Sequence, residues 1–210
     1  MLLTTRKADR VVLPNISWEQ FENLLTILGD KRAARIAYDQ GTLEIMTPLP
    51  EHEYYKQVIS TAIEDIAETL EQNYECYGSA TWKRKMKEVG VEPDNCFYFQ
   101  NESKVRGQLQ LDLNSDPPPD LVLEIDLTNK SLDRFPIYAR LGVPEIWTYN
   151  EGKLTIYQLQ NNETYRVVTT SSIFPSLPIQ DLPNLLEEYR NQGRLAMRQA
   201  VRKWASQSNE

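Results

Sequence analysis

The chain has 210 residues, 40% of them hydrophobic, and a formal net charge of −7. That length fits one domain with at most a small appendage and supports a sizeable core. The charge argues against a non-specific nucleic-acid coat, yet it leaves room for an acidic catalytic centre beside a local basic patch.

No apolar run approaches the roughly 18 residues of a membrane span, so no transmembrane helix and no membrane partner are expected. Residues 1–7 are too short and too polar for a signal peptide. Cys76 and Cys96 lie far apart without metal-ligand spacing and read as reduced, buried thiols of a cytoplasmic protein. A single histidine, His52, excludes His-rich zinc sites.

In chain order, Ser17-Trp18-Glu19-Gln20 is a capping box that starts a helix burying Trp18, Phe21, Leu24, Leu25 and Leu28 and stopping at Gly29. Residues 35–39 and 42–46 flank Gln40-Gly41 and predict a tight hairpin. Pro48-Leu49-Pro50 breaks that strand. A long helix follows over about residues 51–73, with Tyr55, Val58, Ile59, Ala62, Ile66 and Leu70 on one stripe. Residues 81–86 alternate loosely and predict a strand with a basic face of Lys83, Arg84 and Lys85, continued by Lys87. This face is either solvated or a track for nucleic-acid phosphates. Gly90 to Asp94 lead into an apolar strand ending at Gln100.

Residues 101–118 form a polar loop closed by three prolines, and an acidic strand over residues 120–127 follows. Next comes a short helix over about residues 134–141, with Asp133 as its cap, Pro136 in its first turn and Gly142 at its end. Residues 144–149 read as a strand, and 153–159 with 164–170 as a second hairpin. Residues 182–207 read as a helix interrupted near Gly193, carrying Arg190, Arg194, Arg198 and Arg202 along one face. These elements give a domain over residues 1–180 with a helical extension over 181–210. The fold class is α/β: a mixed sheet flanked by helices, with an N-terminal hairpin and a C-terminal hairpin plus helix.

The chemistry concentrates in residues 119–126, Pro-Asp-Leu-Val-Leu-Glu-Ile-Asp. Period-two geometry puts Asp120, Glu124 and Asp126 on one strand face and Leu121, Leu123 and Ile125 on the other. Buried unpaired carboxylates are costly, and a divalent cation is the simplest way to neutralise them. Asp126 either joins that set or marks the solvated end of the strand. A second Pro-Asp, Pro93-Asp94, opens the apolar run 96–99, and Asp94 reads as a turn opener or as a further ligand. His52, near a helix start, is a solvated or capping residue or lines the same cleft.

This order of elements resembles the PD-(D/E)XK nuclease superfamily. More closely, the chain is similar to a large bacterial family of putative restriction endonucleases. The residues that carry the likeness are Gly41, Pro50-Glu51-His52, Pro93-Asp94, Pro119-Asp120 with Glu124, and Gly142-Val143-Pro144-Glu145-Ile146-Trp147. The resemblance implies a restriction-endonuclease-like fold and a Mg²⁺- or Mn²⁺-dependent phosphodiesterase that hydrolyses DNA. Asp94 and Glu124 would hold the metal, with Asp120 close enough to join.

The superfamily lysine two residues after the second acid is absent, because position 126 is Asp. The closer family implies a basic residue from the next helix, which is Arg134 here, four residues before Tyr138; Lys130 is the alternative. Arginine cannot act as a general base, but it can stabilise phosphate charge. Lys83 and Lys85 would flank the cleft, and cutting both strands of a duplex would favour a homodimer. The rival reading is a catalytically weakened nuclease fold that serves as a DNA-binding or protein-interaction module.

Overall fold

Alternation and helical spacing resolve, in the computed structural model, into eleven strands and six helices across the described residues, 10–29, 32–125 and 132–207. Strand β1 (Arg10–Leu13) precedes helix α1 (Trp18–Leu28). The expected capping box is formed: the Gln20 amide donates to Ser17 Oγ at 3.2 Å and the Ser17 amide to Gln20 Oε1 at 2.7 Å. Two amides that a helix start would otherwise leave unpaired are thereby satisfied. Strands β2 (Arg35–Asp39) and β3 (Thr42–Met46) form the hairpin. Gln40 and Gly41 both take positive φ there, 44° and 93°, which gives the two-residue turn whose twist suits paired strands.

Helix α2 (Pro50–Thr69) starts on a proline, whose missing amide is not needed at that position. It is shorter than expected because Glu71, at φ 55°, turns the chain away. Strands β4 (Glu75–Cys76), β5 (Trp82–Arg84) and β6 (Val89–Val91) follow. The basic strand expected over 81–86 stops at Arg84, and Lys85–Lys87 form a 3-10 turn closed by Glu88 at φ 50°. The strand expected to end at Gln100 is β7 (Asn95–Tyr98), and the segment leading into it holds a further strand, β6. Glu92-Pro93-Asp94 is the corner between them, since proline has no amide to continue a ladder.

The loop expected over 101–118 contains the single turn α3 (Glu102–Val105). Then come β8 (Leu121–Ile125), α4 (Phe135–Leu141), β9 (Glu145–Asn150), β10 (Lys153–Leu159) and β11 (Tyr165–Val168). Arg134 rather than Asp133 occupies the cap position of α4, although Asp133 Oδ1 accepts from the Phe135 amide at 3.0 Å. The C-terminal helix is broken at Gly193, as its sequence predicts, into α5 (Leu182–Glu188) and α6 (Arg194–Ser206).

The strands make two sheets. The first, in the order β1-β3-β2-β6-β5, is antiparallel throughout. The second, β11-β10-β9-β8-β7-β4, is mixed, and its parallel pair is β8 with β9, joined through α4. Helix α1 covers the outer face of the first sheet, where Phe21 stacks on Tyr38 with ring centroids 4.7 Å apart. Phe21 lies so close to β6 that a Cβ on Gly90 would meet its ring at 2.6 Å, so the strand carries glycine there.

Alternate residues of β8 face two different layers. Leu121, Leu123 and Ile125 pack with Ile59, Ile63 and Ile66 of α2 and with Met197, Val201 and Ala205 of α6. Val122 packs with Ile137, Tyr138 and Leu141 of α4 and with Ala37 and Val91 of the first sheet. The C-terminal helices therefore share a core with the acidic strand. They are clamped to α2 by Asp65, which is fully buried and accepts from Arg198 at 2.9 Å and from Arg202 Nε at 2.7 Å.

Candidate active site

The corner at Pro93 sets the first side chain. Asp94 lies just before β7, where the antiparallel register Asn95↔Leu123 brings it alongside Glu124 at the C-terminal end of β8. The Ile125 amide donates to Asp94 Oδ2 at 2.7 Å, and His52 Nε2, from the first turn of α2, lies 3.0 Å from the same oxygen. Asp94 Oδ1 is buried and has no hydrogen-bond partner among the described residues; the same holds for His52 Nδ1 and for Arg134 Nε. Burial alone would push the Asp94 pKa up. His52, the Arg134 guanidinium and the Ile125 amide outweigh it and hold the carboxyl below its ordinary value.

Alternation puts Glu124 on the face of β8 that looks toward α4 and the first sheet. Arg134 Nη1 donates to its two oxygens at 3.1 and 3.0 Å, and the Tyr138 hydroxyl donates to Glu124 Oε1. Arg134 Nη2 also reaches Glu44 Oε1 of β3 at 3.5 Å. Glu44 in turn accepts from the Leu132 amide at 3.2 Å and lies 3.7 Å from Arg10 Nε. One buried guanidinium therefore ties acids from both sheets together. Burial would lower the Arg134 pKa, but Glu124, Tyr138, Asp94 and Glu44 raise it well above the usual arginine value. Burial and the Glu124 charge likewise push the Tyr138 phenol well up, so it stays a donor.

Asp120 does not join this group. Strands β7 and β8 run antiparallel, so the Pro-Asp that opens each of them lies at the opposite end of the pair. Four residue steps separate Asp120 from Glu124, about 13 Å along β8. Asp120 is instead a main-chain anchor: its carboxylate accepts from the Phe99 amide at 2.8 Å, the Asn101 amide at 2.9 Å and Asn101 Nδ2 at 2.7 Å. Asp126 and Lys130 lie outside the described residues.

Lys83 and Lys85 do not rim the acidic group. Lys83 is level with Gly90, Tyr38 and Leu43 across the first sheet, the face under α1, whereas Glu44 is level with Ala37 and Val91 on the opposite face. Lys83 Nζ is ion-paired to Glu22 of α1 at 2.6 Å, and Lys85 stands exposed on the 3-10 turn.

Sequence reasoning passed over Glu44. Its signal was available, because an acid inside Leu43-Glu44-Ile45-Met46 is the same anomaly as Glu124 within its own apolar strand. The family motif around Glu145 turns out to be scaffolding. Glu145 accepts from Trp147 Nε1, Ser171 Oγ and Ser172 Oγ at 2.6 Å and from the Ser172 amide at 2.7 Å.

Among the described residues, no group of three or more His, Cys, Asp or Glu is placed to hold a metal ion. Two carboxylates suffice for Mg²⁺, which keeps several waters and shares phosphate oxygens with a substrate. Asp94, with an unpartnered buried oxygen, and Glu124 beside it fit that requirement.

The family model of Uma2, described as "Putative restriction endonuclease", matches residues 18–197. The chain belongs to this family. It is thereby a nuclease-type enzyme by family, built on a mixed α/β fold of two sheets flanked by helices. A crystal structure of a "putative nuclease" belonging to DUF820, from Anabaena variabilis, matches 87% of this chain and 97% of its own at 13% identity, with a TM-score of 0.47. No curated protein matches the chain. No helix among the described residues is long and apolar enough to cross a membrane.

Proposed function

We propose that this protein hydrolyses phosphodiester bonds in DNA with the help of Mg²⁺ or Mn²⁺ held by Asp94 and Glu124. The observation that carries this reading is the pairing of two buried carboxylates on adjacent strands, one with a buried oxygen that has no partner among the described residues. The metal would lower the pKa of a bound water and offset charge on the phosphate.

The chain's own residues supply the rest. His52 and the Ile125 amide fix Asp94, and Tyr138 and Arg134 fix Glu124. Arg134 stays protonated, so its part is to stabilise phosphate charge and not to remove a proton. Lys130 is the other candidate for the missing lysine.

Purified protein should cut plasmid or single-stranded DNA with Mg²⁺ or Mn²⁺ and not with EDTA. Double-strand cutting would call for two copies, which the oligomeric state in solution reports. A second reading keeps some support from one observation: both Glu124 oxygens are already engaged by Arg134 and Tyr138. It makes the fold a DNA-binding or protein-interaction module. Absence of cleavage under all these conditions would favour it.

A further inference from the structure

The four arginines of the C-terminal segment, Arg190 in the turn between α5 and α6 and the others on α6, are used in two ways. Arg198 and Arg202 are drawn inward by buried Asp65, with Arg202 also 3.3 Å from Glu68. Arg190 and Arg194 are exposed and stack on a ring: their guanidinium carbons lie 5.6 and 5.5 Å from the centroid of Tyr54. Among the described residues no carboxylate is paired with Arg194. Arg190 is paired with Glu187 at 3.0 Å, and both partners are exposed. Such a pair is weak and exchanges readily for an anion that accepts two hydrogen bonds. A guanidinium held over a ring can keep N–H donors available and loses less freedom when it takes a phosphate.

The platform is anchored at the catalytic end of the second sheet. Tyr54 meets Tyr55 edge-on at 5.4 Å, and Tyr55 packs on Tyr149 at 4.6 Å. Tyr149 pairs with Ile125 across β8 and β9, one residue beyond Glu124 at this end of the sheet and on the face that packs against α2. Tyr54 follows His52 by two residues in the first turns of α2. A chain of net charge −7 needs a local basic surface to approach a polyanion. Lys83 does not supply it beside the site, because it stands under α1 on the face of the first sheet away from Glu44.

We propose that Arg190 and Arg194, stacked on Tyr54, form a phosphate clamp that grips the nucleic-acid backbone beside the bond positioned at Asp94 and Glu124. The proposal rests on the nuclease reading above for its substrate class. It assigns binding to the C-terminal segment and not to the basic residues 83–87.

The test is binding of a short fluorescein-labelled DNA duplex, read by anisotropy over a salt series in EDTA so that no strand is cut. Arg190→Gln with Arg194→Gln should weaken binding roughly tenfold or more at low salt and flatten the slope of log K against log salt by about 1.8, two phosphates' worth. Arg190→Lys with Arg194→Lys should keep the slope while losing part of the affinity, because charge remains and the stacked fork does not. Lys83→Gln with Lys85→Gln should change neither.

Wild-type slope and affinity in the Gln pair, with an unchanged melting temperature, overturn the clamp. So does a failure of the wild type to bind the duplex. If the Gln pair unfolds, the Lys pair decides: unchanged affinity there also overturns it. The nuclease reading fails separately, when the wild type binds DNA with this slope yet cuts nothing in Mg²⁺ or Mn²⁺.

Discussion

Strand β8 carries a buried acid at each end, and the two are satisfied by different kinds of partner. Asp120 accepts from two main-chain amides and a side-chain amide, all neutral and all fixed by the fold. Glu124 is held by a guanidinium and a phenol, and its neighbour Asp94 keeps an oxygen without a partner among the described residues. Neutral donors supplied by the backbone are the mark of an acid that shapes a loop. Mutual satisfaction by other ionisable groups, with polar atoms left over, is the mark of a group that can rearrange around a ligand. Glu145 belongs with Asp120 by the same criterion, for all its place in a family motif.

The largest expected effect separates the two ends by activity. Asp94→Asn and Glu124→Gln should each reduce metal-dependent cleavage by about 10²–10³-fold or more, with the fold retained. Asp120→Ala should leave the cleavage rate of folded protein within a few-fold of wild type. It should cost stability instead, about 1–3 kcal/mol for each main-chain amide left unpaired. Denaturant melts alongside a plasmid assay measure both. Lost cleavage in Asp120→Ala at a temperature where it is folded would erase the distinction.

Arg134 comes next. An arginine that only stabilised phosphate charge could be replaced by alanine with loss of activity and no loss of fold. With the side chain 4% exposed and two buried glutamates depending on it, Arg134 is not such a residue. Removing one partner of a buried ionic group costs about 3–5 kcal/mol. Arg134→Ala should therefore destabilise strongly, and adding Glu44→Gln should restore part of the loss. Simple additivity of the two substitutions would deny that Glu44 and Arg134 form one unit.

Metal and pH effects sharpen the comparison further. Mn²⁺ at 100 times its dissociation constant should stabilise the wild type by about 2.7 kcal/mol, leave Asp120→Ala equally responsive, and fail to stabilise Asp94→Asn. Without metal, the depressed Asp94 pKa has a definite sign. Its contribution is fully present above the unfolded value near 3.9 and fades as pH falls through the lower folded value. Acid titration of stability should accordingly be steeper for the wild type than for Asp94→Asn.

Much of this layout was legible from period and punctuation. The capping box at Ser17, the Gln40-Gly41 hairpin, the Gly193 break and the two-faced acidic strand all follow from local rules that burial does not override. The failures at the site share one cause, since they depend on which strand pairs with which and in what direction. Asp94 and Asp120 look equivalent as Pro-Asp openings. Only antiparallel pairing of β7 with β8 sends them to opposite ends. Glu44 joins Arg134 only because the first sheet lies against α4, a contact with 90 residues of chain between the partners. Pro93 turns the chain from β6 in one sheet to β7 in the other, and that same corner delivers Asp94 to the site.

The smallest expected effect tests the comparison where it is weakest. Lys83 and Glu22 form an ion pair at 2.6 Å, shorter than either contact of Arg134 with Glu124, yet their side chains are 39% and 37% exposed. Distance alone would rank it above the buried cluster. Solvent screening and side-chain entropy reverse that order, because exposed pairs contribute only about 0–1 kcal/mol. Lys83→Met should therefore shift stability by less than about 1 kcal/mol and leave cleavage unchanged, since the residue stands under α1 on the far face of the first sheet from Glu44. A loss comparable to that of Arg134→Ala would mean that proximity, and not burial among ionisable neighbours, governs these pairs. The contrast between the two ends of β8 would then lose its physical basis.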